Sequence, residues 1–310
     1  MDVVGYALAD SIEPIADSWL SKALFSPGRY GLGVTALGGK IYAIGGRGSS
    51  YALANTDMYD PILNTWSAKR AMTAPRYRLG VTSANGKIYA IGGNDDAVNV
   101  GVTEEYDPIT NTWTTKASML TARNQLGVAA INGKIYAVGG FSQNYTSLNE
   151  VYDIATNTWS TKAPMPSALG NFGIAVVNEK LYVVGGGDSV GIGNITREYD
   201  PVSNSWSSKA SLNYRRINLA VAELGGKIYA IGGYYNGRLA TNEVYNPKTN
   251  EWVVVLPMPT AREELGAASA YGKIYAIGGF STSGDTRANE EYTPASLKGL
   301  DTLKAWLAAK

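Results

Sequence analysis

The chain is predicted to fold as an all-β six-bladed propeller with four antiparallel strands per blade, and three observations carry that prediction. An apolar strand ends in a double glycine six times: Gly45-Gly46, Gly92-Gly93, Gly139-Gly140, Gly185-Gly186, Gly232-Gly233 and Gly278-Gly279. Successive pairs lie 47, 47, 46, 47 and 46 residues apart. A unit of that length cannot bury its own hydrophobic face, so neighbours must stack and share a core. The repeats also run almost end to end, so the 310 residues read as one closed domain rather than two average ones.

The second repeat shows how each unit is built. Leu79-Gly80-Val81-Thr82-Ser83-Ala84 reads as a strand, and Asn85-Gly86 is a two-residue hairpin signal. Ile88-Tyr89-Ala90-Ile91, β-branched and aromatic, is the next strand and runs into Gly92-Gly93. After a loop, Thr103-Glu104-Glu105-Tyr106 forms the third strand. Asp107-Pro108-Ile109-Thr110-Asn111 is a turn, with Pro fixing φ and Asn tolerating positive φ. Trp113 opens the fourth strand, completing the meander of a propeller blade.

The double glycine, the downstream Tyr, the Asp-Pro-x-Thr-Asn turn and the Trp together resemble kelch repeats over residues 12 to 294. The resemblance implies a six-bladed kelch propeller. The double glycine would then permit close backbone approach where blades converge, and the Tyr and Trp would fill the space between blades.

The same frame accounts for the ends. Trp19 lies 47 residues before Trp66, whereas no Trp follows Tyr292 at the usual seven residues, where Gly299 stands instead. Residues 17 to 23 are therefore expected to complete the last blade and close the ring, which removes both exposed edges. The propeller is placed at residues 1–294 and a tail at 295–310. In that tail Leu297, Leu300, Leu303, Trp306 and Leu307 recur at helical spacing, with Lys298, Asp301, Lys304 and Lys310 between them. This reads as a short amphipathic helix, docked on the propeller wall or leading to another domain.

Composition sets the outer limits on function. Apolar residues make up 45% of the chain, ample for a core, and 36 glycines suit a turn-rich all-β protein. With 27 Lys and Arg against 26 Asp and Glu, the net charge of +1 argues against a broad nucleic-acid surface. There is no cysteine and no histidine. Disulfides, thiol nucleophiles, Ser-His-Asp systems and histidine-bound copper of the kelch oxidase type are excluded on that ground. No stretch reaches the ~18 apolar residues of a membrane span. The N-terminus lacks a signal-peptide pattern. An extracellular or periplasmic location would require a signal peptide outside this chain, and compartment is left open. A monomer without cofactor is expected.

The two ends of the blades differ. The end with the strand 1–2 and 3–4 turns repeats Gly-Lys and Asp-Pro-x-Thr-Asn sequences almost unchanged. At the other end, the strand 2–3 loops carry every length change while the inter-blade connections keep one length and vary in sequence, and binding residues concentrate on such loops. Three positions per blade are expected to ring the central opening there. Just after the glycine pair stand Arg47, Asn94, Phe141, Gly187, Tyr234 and Phe280. Three residues before the strand-1 glycine, or Ala220 in its place, stand Tyr30, Tyr77, Asn124, Gly170, Ile217 and Glu263; two before it stand Gly31, Arg78, Gln125, Asn171, Asn218 and Glu264. Kelch proteins that capture peptides use such positions, which the resemblance implies for this chain. The ligand-binding set is Arg47, Tyr77, Arg78, Asn94, Gln125, Phe141, Asn171, Asn218, Tyr234, Glu264 and Phe280. A concave aromatic floor from Tyr77, Phe141, Tyr234 and Phe280 would favour sugar or peptide.

Other recurring charges read as scaffold. Arg29, Arg76, Arg123, Arg216 and Arg262 occupy one repeat position, broken by Leu169, and are expected to be buried against carboxylates or loop carbonyls. Asp95-Asp96 and Asp188 could serve an oxygen-only calcium site, although solvated loop acids are the commoner case. The leading expectation is a noncatalytic recognition module for a protein, peptide or glycan. The alternatives are a purely architectural or engineered scaffold and a sugar mutarotase or isomerase. The last would use Glu263 and Glu264 beside Arg215, Arg216 and Asn218, with one carboxylate as base and Arg orienting the sugar.

Overall fold

The computed structural model describes residues 14–297, and among them there is no helix. Six four-stranded antiparallel sheets stand in a ring, each running from its first strand at the centre to its fourth at the rim. Blade 1 consists of Gly33–Leu37, Lys40–Ile44, Thr56–Asp60 and Thr65–Lys69. Blades 2 to 5 repeat that order from Gly80–Ala84 to Glu251–Val255. Blade 6 takes Gly266–Ala270, Lys273–Ile277 and Asn289–Thr293 from the end of the chain and Ser18–Ser21 from its beginning. The register is Ser18↔Thr293, Trp19↔Tyr292, Leu20↔Glu291 and Ser21↔Glu290, so the ring closes as the Trp19 phase requires.

The expected helix lies outside the described residues except at its start, where the structure differs. Ser296–Leu297 pair as a short antiparallel strand with Pro14–Ile15, so Leu297 extends the closure and does not open a helix. No helix among the described residues is long and apolar enough to cross a membrane.

The core is divided into six compartments, one between each pair of neighbouring blades. Between blades 1 and 2, Tyr42, Ile44, Met72 and Leu79 meet Ile88, Ala90 and Tyr106. The second strands are buried on both faces, which is why they read as unbroken apolar runs. Blade spacing is set by the double glycines. Gly45 has φ +60°, and a Cβ there would lie 2.6 Å from the Arg76 carbonyl of the next blade. That carbonyl instead accepts the Gly46 N–H at 3.0 Å. A side chain at position 45 would break the contact and strain the backbone as well.

The rim is fastened by a hydrogen-bonded clasp repeated six times. In blade 2, Trp113 Nε1 donates to the Arg70 carbonyl at 2.8 Å, while Asn111 Oδ1 accepts the Arg70 N–H at 2.9 Å. Tyr106 Oη donates to the same Asn111 oxygen at 2.8 Å, and burial pushes the Tyr106 phenol up to about 12. Asn111 sits at φ 54°, the conformation its turn demands. In blade 6 the Asn role passes to Asp17, whose Oδ2 accepts the Leu256 N–H at 3.3 Å while Trp19 Nε1 bonds the Leu256 carbonyl at 3.0 Å. Asp17 Oδ1 also accepts the Ala295 N–H at 2.6 Å, so one carboxylate ties both ends of the described chain to blade 5.

Candidate functional site

The loop end of the propeller is organised by a closed circle of backbone hydrogen bonds. Gly31, Arg78, Gln125, Asn171, Asn218 and Glu264 all lie in the left-handed region, with φ between 51° and 60°. Arg78 N–H donates to the Gly31 carbonyl at 2.6 Å, Gln125 to Arg78 at 3.0 Å and Asn171 to Gln125 at 3.2 Å. Asn218 donates to Asn171 at 2.8 Å, Glu264 to Asn218 at 2.8 Å and Gly31 to Glu264 at 2.9 Å. Left-handed φ costs a non-glycine residue ~1 kcal/mol or more, and persists where the surroundings over-determine it. Here the ring does so. Its six residues line a shallow well of about 90 Å³ floored by Leu32, Leu79, Leu126, Phe172, Leu219 and Leu265.

The other two expected positions join this ring from outside. In every blade they bridge each other: Tyr30↔Arg47, Tyr77↔Asn94, Asn124↔Phe141, Gly170↔Gly187, Ile217↔Tyr234 and Glu263↔Phe280. The sequence-predicted residues therefore share one face. Between blades 2 and 3 they line a groove of about 550 Å³, walled by Arg78, Asn94, Asn124, Gln125 and Phe141 together with Val98 and Asn99. Asn99 Nδ2 crosses to the Phe141 and Ser142 carbonyls at 3.1 and 2.8 Å and fixes that wall.

Three ion pairs on this face run across blades. Arg78 of blade 2 reaches Glu264 of blade 6 through Nη2–Oε1 at 2.5 Å and Nε–Oε2 at 3.2 Å. Blade 1 contributes Gly31 at that ring position, and a Cβ there would stand 3.0 Å from Glu264 Oε2 and 3.2 Å from Arg78 Cγ. The glycine makes room for the ion pair to span it. Arg47 Nε binds Asp96 Oδ1 at 2.9 Å, and Arg238 lies 3.4 Å from Glu263.

Two expectations are corrected by this geometry. The aromatic floor is covered in part: Arg47 and Arg78 each lie 5.5 Å from the Tyr77 ring centroid, and Arg238 lies 4.6 Å from that of Phe280. Phe141 packs edge-on against Tyr145. The candidate catalytic cluster is also dispersed. Asn218 Nδ2 does bond Glu263 at 2.9 Å, but Glu264 is held by Arg78. Arg216 is fully buried, its Nη1 2.5 Å from Glu243 and its Nη2 3.0 Å from the Ala230 carbonyl. Burial pulls the Arg216 guanidinium below its ordinary value against the attraction of Glu243.

The arginine set is scaffold, as its repetition suggests. Arg76, Arg123 and Arg262 pair with Glu104, Glu150 and Glu290 through Nη1 as Arg216 does with Glu243, and Arg29 pairs with the shorter Asp57 through Nη2. In blade 4, where Leu169 replaces the arginine, Arg197 occupies the carboxylate's repeat position. The acidic loop residues serve their own turns: Asp95 Oδ1 accepts the Ala97 and Val98 amides, and Asp188 Oδ1 those of Val190 and Gly191. Among the described residues no group of three His, Cys, Asp or Glu side chains is placed to hold a metal ion.

Sequence reasoning missed the partners Asp96, Tyr145 and Arg238; the last two occupy the loop position that bridges back to the residue after the glycine pair, where loops of unequal length hide the equivalence. The Arg78–Glu264 pair had a readable signal: opposite charges at one ring position, in blades flanking a glycine.

The family model described as the KLHDC2/KLHL20/DRC7 Kelch-repeats domain matches residues 115–279, and the Kelch motif model matches residues 28–73 and 75–120. No curated protein matches the chain. A solved structure described as "Structure of YjhT" is similar with a TM-score of 0.77 at 14% identity, covering 89% of this chain and 99% of that one, a likeness of fold. With its six double-glycine blades and these matches, the chain belongs to the kelch-repeat family.

Proposed function

We propose that this propeller is a noncatalytic recognition module that holds a segment of a partner protein on its loop end. Kelch propellers typically bind proteins, which gives the general class. One observation carries the choice of face: the backbone ring is the same in every blade, while its side chains Gly31, Arg78, Gln125, Asn171, Asn218 and Glu264 are nearly all different. A fixed frame with varied side chains suits recognition, since the frame lowers the ordering cost of binding and the side chains supply selectivity. A peptide is favoured over a glycan because guanidinium groups already cover Tyr77 and Phe280, two of the four rings on which a sugar would stack. The Gln125, Asn171 and Asn218 amides then meet peptide N–H and C=O groups, and Phe141 meets an apolar side chain.

The test is a screen of the purified chain against immobilised decapeptides and a glycan array. Binding to peptides that falls at least tenfold in Arg78→Ala and Phe141→Ala supports the reading. Binding only to glycans, or binding that these variants leave unchanged, contradicts it.

A further inference from the structure

Blade 5 departs from the other five at two loop positions that meet in space. Just before the buried arginine position, five blades carry small residues: Pro27-Gly28, Ala74-Pro75, Thr121-Ala122, Ser167-Ala168 and Thr260-Ala261. Blade 5 carries Tyr214-Arg215. Two residues past the glycine pair, five blades carry Gly48, Asp95, Ser142, Asp188 and Ser281, and blade 5 carries Tyr235. The repeat thus shows that a blade folds with small or polar groups at these places. The large side chains are not needed by the scaffold.

Arg215 and Tyr235 meet in one exposed pair, and exposed Tyr214 stands next to Arg215 in the chain. The Arg215 guanidinium lies 5.6 Å from the Tyr235 ring centroid, and Tyr214 and Tyr235 are 54% and 38% exposed. Arg47, Arg78 and Arg238 on this face each have a carboxylate partner, whereas Arg215 has none among the described residues. A stacked, water-exposed cation without a counter-charge is a ready acceptor for an incoming carboxylate. Flanking tyrosines add flat apolar area at low entropy cost, the composition found at interface hot spots.

The buried Arg216–Glu243 pair makes the platform rigid from beneath. Glu243 accepts the Asn213 N–H at 2.8 Å and the Tyr214 N–H at 3.4 Å, while Arg216 Nη1 donates to the Tyr214 carbonyl at 3.3 Å. The Ile217↔Tyr234 bridge then joins this loop to the one bearing Tyr235, next to Asn218 of the central ring. The cluster is therefore preorganised and continuous with the well.

Resting on the loop-end reading above, we infer that Tyr214, Arg215 and Tyr235 form a docking site for an acidic segment of the partner protein, with the partner's Asp or Glu on Arg215 and an adjacent apolar side chain on the tyrosines. The probe is a set of immobilised decapeptides with one Asp or Glu flanked by Leu, Phe or Tyr, each matched by its Asn or Gln counterpart. The intact chain should hold members of the acidic set at least tenfold tighter than their counterparts. Arg215→Gln should abolish that preference, and Tyr235→Ala should weaken binding, with thermal melting unchanged in both because the side chains are exposed. A preference that survives Arg215→Gln, or no preference for the acidic set, overturns the assignment. Peptides lost to Arg78→Ala but indifferent to Arg215→Gln overturn it while leaving the loop-end reading intact; peptides lost only to Lys87→Ala, on the opposite end, overturn both.

Discussion

The two ends of the propeller use charged side chains in opposite ways. At the turn end, ion pairs stay inside a blade: Lys40–Asp60, Lys87–Asp107, Lys134–Asp153 and Lys180–Asp200 each link strand 2 to strand 3 of one sheet. At the loop end the buried arginine pairs also stay inside a blade, but the partly exposed ones cross between blades: Arg47–Asp96, Arg78–Glu264 and Arg238–Glu263, joined by the Asn218–Glu263 hydrogen bond. A pair within one blade is copied whenever the repeat is copied, so it carries no individual information. A pair between blades depends on two units that have each departed from the repeat. Where the pairs cross blades, each blade presents a different surface.

The sharpest break in this comparison would come from removing the strand that makes the ring continuous. Deleting residues 1 to 24 takes away Ser18–Ser21 together with Trp19 and Asp17, leaving the third strand of blade 6 as an open edge. Aggregation or a large fall in melting temperature is expected by calorimetry and light scattering. A monomer that melts like the full chain would refute the closure.

Next come neighbours that differ only in burial. Arg216→Met strips the partner from buried Glu243 and should cost about 3–5 kcal/mol in denaturant unfolding. Arg215→Ala, one residue away and exposed, should stay within ~0.5 kcal/mol. Equal effects from the two would mean that the arginine ring is not scaffold. Trp113→Phe keeps the ring packing but removes the Nε1 bond to the Arg70 carbonyl, for an expected loss of about 1 kcal/mol.

A smaller effect follows from pH. Asp107 is held below the ordinary carboxylate range chiefly by the Lys87 hydrogen bond, then by backbone amides of its turn. Glu291 is also held low: burial opposes the shift, but hydrogen bonds from Lys273 and Tyr275 overcome it. A carboxylate with a depressed folded-state pKa contributes stability that is complete above its unfolded value of ~4 and is lost as pH falls through the folded value. Stability should therefore be flat from neutral pH toward that value and decline below it. Lys87→Ala should flatten part of the decline, and an unchanged pH profile would remove Asp107 from the account.

Much of the fold was legible because the repeat supplies six readings of each position. The Trp19 phase against the absent Trp after Tyr292 located the closing strand, and the Asn and Trp of each unit marked its turn and last strand. Their joint hold on one residue of the adjoining connection was not legible, since it joins positions about 40 residues apart through backbone atoms. The site was legible as a set of positions but not as a set of partners. Position follows from chain order within a blade, whereas Arg78 and Glu264, 186 residues apart, meet only because the ring bends them past Gly31. The aromatic floor was legible only in part for a related reason: residue type predicted the rings, but not the guanidinium groups laid over Tyr77 and Phe280.

The central claim, that the varied end binds and the uniform end supports, is tested most directly by a hydrogen-exchange footprint of the intact chain with a decapeptide it retains. Protection is predicted in the strand 2–3 loops around Arg47, Asn94, Phe141 and Tyr234 and in the connections at Arg78 and Glu264, with the Asp107–Asn111 turn and its equivalents unchanged. Protection confined to the Lys87 and Asp107 end would contradict the account.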